Sequence, residues 1–223
     1  YQIYAMALMV SSLSLPTAVS KLVSAKMAVG QKRNAVRVFI CSMVFGVAVG
    51  LVVTGVIFFG ADTIAVYGMK SPLSVYALKM LAPGLFLVAV MAVIRGYFQG
   101  LGSMMPTAVS QIIEQIIRAV VSIVGASIFI DIGTRAGERS GEELLGPAYG
   151  AAGATLGTVL GALIALIFLG FILFTYKGKM QSQYRMDRTG KKESYHHILK
   201  ILVFTALPIL FSTAVYNINQ SLD

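Results

Sequence analysis

The chain has 223 residues, of which 57% are hydrophobic and only 12% charged, and its mean hydropathy is +0.81. A soluble domain carries about 25% charged residues, so the composition excludes an ordinary water-facing surface and points to a membrane protein. The net charge of +9 sits on Lys and Arg between oily runs, which speaks for orientation against anionic lipid rather than for nucleic acid.

Six apolar segments are expected, at about 1–18, 38–59, 72–94, 106–130, 147–176 and 201–223. The first is interrupted by Pro16, and Ser14, Thr17, Lys21 and Ser24 share one of its helix faces. A basic run follows, Lys21, Lys26, Lys32, Arg33 and Arg37. The second segment carries Gly46, Gly50 and Thr54 four apart, a small-residue stripe suited to close helix contact. It also holds Cys41, the single cysteine, which excludes an intrachain disulfide and reads as a buried small hydrophobe. Ser71-Pro72 opens the third segment, where Pro83-Gly84 predicts a kink or local unwinding.

The glycine-rich stretch from Arg95 to Met105 is expected to be a tight turn fixed by Arg95, Gly96 and Gly100, with Pro106 in the first turn of the fourth helix. An acidic, glycine-rich loop is expected at 131–146. The fifth segment carries Gly150, Gly153, Gly157 and Gly161 along one side, and the sixth carries Thr205, Pro208, Ser212, Tyr216, Asn219 and Asp223. No basic leader precedes the first run and the last continues to Asp223, so the sequence is expected to be an internal stretch of a longer protein. The architecture expected is all-α, a polytopic membrane helix bundle in a single membrane domain.

Loop charge sets an expected orientation. The connections at 19–37, 95–105 and 177–200 hold five, one and seven Lys/Arg, and those after the second and fourth segments hold one and two beside most of the acids. The positive-inside rule then places the odd connections in the cytoplasm of a cell-membrane protein.

The fourth segment holds the most informative pattern. Thr107, Gln111, Glu114, Arg118, Ser122 and Gly125 step by three and four, so all lie on one face of an otherwise oily helix. With Pro106 at the membrane boundary, Arg118 would lie about 18 Å deep at 1.5 Å per residue, near the middle of a core about 30 Å thick. Ionisable groups at that depth are costly and mark functional sites by default. Two readings are open: an ion pair between Glu114 and Arg118 that fixes helix packing, or a stripe lining a water-filled cavity. Lys21 is placed at a helix end, where an interface anchor and a substrate contact are both open. His196 and His197 are adjacent and point about 100° apart on a helix, a poor metal pair. No nucleotide-binding loop, zinc spacing or nucleophile elbow occurs, so neither a metal, a cofactor nor enzymatic chemistry is expected.

The strings RGYFQG and SQIIEQIIR, within Arg95 to Arg118, resemble the polysaccharide-exporter branch of the MATE-like flippase superfamily, especially members of the stage V sporulation protein B type and MurJ-like lipid II flippases. LSLPTAVSKLVSA, from Leu13 to Ala25, is similar to the second helix of that group, so the chain would supply helices two to seven. The resemblance implies a transporter that moves a polyprenyl-diphosphate-linked saccharide between leaflets by alternating access. The partners implied are that lipid-linked saccharide and membrane lipids, with a coupling cation left open and no nucleic acid. The residues expected at the substrate or cavity are Arg118, Glu114, Gln111, Lys21, Asn219 and Asp223. A cation-coupled drug exporter centred on Glu114 is the alternative within the superfamily; a membrane-embedded transferase would need a paired-acid metal cluster, whereas the expected cytoplasmic loops hold only Asp187 and Glu193.

Overall fold

In a computed structural model, residues 15–68, 73–141, 144–185, 187 and 193–222 are described, with backbone only at 67–68, 140, 183, 185 and 210–222. The described residues form six α-helices and no strand: α1 (Leu15–Ala28), α2 (Lys32–Thr63, continued by one π-helical turn, Ile64–Gly68), α3 (Ser74–Gly100), α4 (Met105–Ser140), α5 (Leu145–Arg185) and α6 (Tyr195–Leu222). Four are long and apolar enough to cross a membrane, at Lys32–Val66, Ser74–Gly100, Met105–Arg139 and Leu145–Ser182; a shorter apolar stretch runs over Tyr195–Ile209. The expected all-α membrane architecture is therefore present. Large side chains such as Val44, Val52, Phe59, Ile123, Ile167 and Phe174 are exposed, which in a water-soluble monomer would be an aggregation surface but suits contact with lipid.

The described residues cluster into two compact units. One comprises those of Tyr1–Val49, Val88–Val109 and Phe168–Asp223, and the other those of Gly50–Leu87 and Ser110–Ile167. In the first unit, α1 and α3 pack so closely that only glycine fits. A Cβ at Gly96 would lie 2.6 Å from the Pro16 carbonyl oxygen, and one at Gly100 would lie 2.8 Å from that of Ser20. Both distances are far inside van der Waals contact. Gly46 of α2 meets the Val93 side chain in the same way, at 2.9 Å.

Gly96 and Gly100 correct the expected turn. Arg95, Gly96 and Gly100 are all helical, and the chain turns at 101–104 instead. The residue that makes the turn is Gly102, whose φ of 81° is the left-handed conformation that ends helices. Its amide and that of Ser103 donate to the carbonyls of Gln99 and Phe98, at 2.9 and 3.0 Å, so the last carbonyls of α3 are satisfied. Glycine clustering signalled both a turn and a helix crossing, and only packing tells them apart.

Three further boundaries differ from expectation. α2 begins at Lys32, so Arg33 and Arg37 belong to a helix rather than a basic loop. The acidic stretch after Ile130 is helical through Ser140, extending α4. α3 also runs uninterrupted through Pro83 and Gly84, with no unwinding. There Gly84 seats against Val159, and the Thr54 hydroxyl donates to the Ala82 carbonyl at 3.1 Å.

In the second unit α4 and α5 are in backbone contact along most of their shared length. A Cβ at Gly125 would lie 2.5 Å from the Gly153 carbonyl oxygen, one at Gly133 would lie 2.6 Å from that of Leu145, and Gly150 faces Ile130. The Ser122 hydroxyl bridges the seam, donating to the Ala154 carbonyl at 2.7 Å. Overpacking of such contacts costs about 1–3 kcal/mol. Gly153→Ala or Gly96→Ala is therefore expected to lower stability by that amount in detergent unfolding. Gly170→Ala, where a Cβ meets nothing within 4 Å, should be neutral or slightly stabilising, since alanine favours helix.

Candidate functional site

The site grows out of the same α4–α5 seam. Towards the start of α4, the seam passes from Gly125 and Ser122 to Arg118 and Glu114. Opposite them stand Gly157 and Gly161: a Cβ at Gly161 would lie 2.8 Å from the Glu114 carbonyl oxygen and 3.5 Å from the Arg118 Cβ. Without side chains on α5 here, the α4 backbone lies directly on it.

Arg118 Nη2 donates to Glu114 Oε1 at 2.6 Å, one helical turn away. The two side chains are not equivalent. That of Glu114 is 9% exposed and that of Arg118 32%. A carboxylate so buried would be costly alone; the guanidinium and the charge-assisted bond compensate it. The pair is asymmetric: the carboxylate is buried, and the arginine side chain that meets it is partly exposed, although its Nε is buried. Gln111, three residues earlier on the same face, is exposed.

The stripe therefore divides. Ser122 and Gly125 are packing residues, and their small size serves the helix contact. Arg118 and Gln111 are partly or fully exposed, and Glu114 joins the two parts. Thr107 is buried, and with Lys21 it belongs to the first unit. Lys21 is exposed on α1, as are Thr17 and Ser24 of the same face. Asp223 lies outside the described residues, and of Asn219 only the helical backbone is described. Among the described residues no group of three His, Cys, Asp or Glu side chains is placed to hold a metal ion.

A second polar cluster, in the first unit, went unread in the sequence. Asn34 is fully buried; its Nδ2 donates to Gln31 Oε1 at 3.0 Å and its Oδ1 accepts from the Glu193 amide at 3.3 Å. Glu193 is also ion-paired with Lys26. Asp187 Oδ2 accepts from the Arg33 amide at 2.8 Å, capping the first turn of α2. The Arg33 and Arg37 guanidinium groups stack on Tyr184 and Tyr195, at 4.7 and 4.2 Å. The partners are more than 150 residues apart in sequence, so no local spacing announces them. The available signal was Asn34 and Arg37 among Ala35, Val36, Val38 and Phe39, polar groups within an apolar helical stretch.

With this geometry in place, the family is settled by a match to the polysaccharide biosynthesis protein family model across residues 1–223. The chain belongs to that family. Among curated relatives it is 31% identical over 99 residues to the stage V sporulation protein B of Bacillus subtilis (strain 168), covering 44% of this chain and 19% of that protein. It is 28% identical over 121 residues to the lipid II flippase MurJ of the same organism, covering 51% of this chain and 22% of that protein. The chain thus matches about a fifth of the length of each of these relatives. Its fold matches the inward-facing conformation of a multidrug resistance MATE family transporter of the MOP superfamily, with a TM-score of 0.69 and 18% identity over 98% of this chain and 45% of that one. This family member therefore has the helical fold of MOP-superfamily membrane proteins.

The Glu114–Arg118 pair makes a quantitative expectation. Removing one partner strands the other charge, whereas removing both leaves a neutral edge. In a double-mutant cycle on Glu114→Gln and Arg118→Gln, unfolding in detergent should give a coupling energy on the order of 1–2 kcal/mol, and Glu114→Gln/Arg118→Gln should be less destabilised than the sum of the single changes.

Proposed function

We propose that this family member forms part of a membrane transporter that moves a polyprenyl-diphosphate-linked saccharide from the cytoplasmic to the outer leaflet by alternating access. The observation that carries the reading is Arg118, a partly exposed arginine side chain paired with a buried carboxylate within a long apolar helix. A diphosphate headgroup crossing oil must exchange its hydration for cations and hydrogen-bond donors inside the bilayer. Arginine suits this because its planar fork of donors matches phosphate oxygens. Glu114 fixes the guanidinium before substrate arrives, and on contact the pair can share or exchange donors. Gln111, exposed one turn away, adds an amide donor. Lys21, exposed on α1 of the other unit, is assigned no role in that contact.

The family supports the substrate class. Its description names polysaccharide biosynthesis, and one relative is named a lipid II flippase. The proposed setting is the cell membrane, with the turns at 29–31 and 101–104 and the stretch between α5 and α6 on the cytoplasmic side, since the 19–37 and 177–200 regions around two of them hold most of the Lys and Arg. Single cysteines at Val29 and Ser103 in a Cys41→Ser background should then be labelled by an impermeant thiol reagent only from the cytoplasmic side; labelling of either from outside would reverse the assignment.

A charge-assisted hydrogen bond contributes about 1.5–3 kcal/mol, a factor of roughly 10–100. Arg118→Ala should therefore lower flipping of a fluorescent polyprenyl-diphosphate saccharide in proteoliposomes containing the full-length protein by about that factor. Arg118→Lys should retain part of the activity. Unchanged flipping by a folded Arg118→Ala protein would remove Arg118 from the substrate path.

A further inference from the structure

The cluster around Asn34 binds three separate stretches of the first unit: the end of α1, the start of α2, and the residues flanking α6. Lys26 holds the Glu193 side chain while Asn34 holds its backbone amide. Two residues on, Tyr195 stacks on Arg37 and its carbonyl accepts from the Cys41 thiol at 3.7 Å. Ser194 receives the His197 amide at 3.2 Å and so caps α6. The start of α6 is thereby fastened to the α1–α2 turn through side chain, main chain and ring.

The fastening is incompletely satisfied. Glu193 Oε2, Arg33 Nε, and Arg37 Nε and Nη1 are buried without a hydrogen-bond partner among the described residues. Arg37 as a whole is only 5% exposed. An unpaired buried donor or acceptor costs free energy comparable to a lost hydrogen bond, more where the group is charged. Here the orphans are complementary, a carboxylate oxygen on one side and guanidinium nitrogens on the other, within one cluster. Each also has a present partner, Lys26 for Glu193, and the Tyr184 and Tyr195 rings for the arginines. A different pairing of these groups, in which Glu193 leaves Lys26 for an arginine and Tyr195 leaves its stack, would satisfy the orphans differently. Exchange between two discrete pairings is the usual form of a conformational switch.

We propose that Lys26, Asn34, Arg37 and Glu193 form a two-position latch between the α1–α2 turn and the start of α6, released when Glu193 exchanges Lys26 for Arg37. Fixed packing would have no second state. A latch has two, and the balance between them depends on Glu193 carrying charge.

Two experiments on the full-length protein in a Cys41→Ser background test it. Spin labels at Val29 and His197, both exposed, report the distance between the turn and α6 without reference to any substrate. Two distance populations are expected, with Glu193→Gln shifting their ratio about fivefold or more; one unchanged distribution in both proteins would overturn the latch. Second, Lys26→Cys and Glu193→Cys are joined by a short, reducible thiol crosslinker. This arm rests on the transport reading. Flipping should fall about tenfold or more and return on reduction, and undiminished flipping by the crosslinked protein would show that the latch never opens in the cycle. Absence of flipping by the unmodified parent would instead count against the transport reading, leaving the spin-label result to decide the latch.

Discussion

The close approach of α4 to α5 is the constraint on which the second unit depends. Lipid tails are as apolar as leucine, so no hydrophobic drive of the aqueous kind holds these helices together; association relies on dispersion and short-range polar contacts between close backbones. Gly125, Gly133, Gly150, Gly153, Gly157 and Gly161 make that approach possible by leaving no Cβ of their own at these contacts. Ser122 adds a hydrogen bond across the seam without adding bulk.

The position of the charged pair follows from that seam. Gly161 seats against the Glu114 backbone, so Glu114 lies at the helix contact and its carboxylate is buried. Arg118, one turn on, compensates it while remaining partly exposed. Burying both partners would add a desolvation cost that their attraction need not repay; here the carboxylate is buried and the arginine side chain stays partly exposed. Packing and electrostatics are thus one arrangement.

The first unit solves a different problem. The ends of its helices carry many cations, and the structure absorbs several by stacking and capping rather than leaving all of them to solvent. Arg33 and Arg37 lie on tyrosine rings, Lys26 meets Glu193, and Asp187 caps α2. Basic residues at helix ends here therefore serve as tertiary contacts.

The sequence by itself determined the membrane class, the helical fold, the family resemblance and the face shared by Gln111, Glu114, Arg118, Ser122 and Gly125. These follow from hydropathy and a period of 3.6, which are local properties of the chain. Local reading misplaced the turn at Gly96 and Gly100, because glycine serves both chain reversal and helix crossing. It also ended the basic connection too late, because Lys and Arg at a helix start look like loop. Only the tertiary structure decided that Ser122 and Gly125 of the polar stripe belong to a packing seam, that Glu114 is buried while Arg118 is partly exposed, and that Asn34 and Glu193 meet across 159 residues. A helix face states which residues act together, but what lies opposite is fixed by a different helix, and that information is absent from any local window.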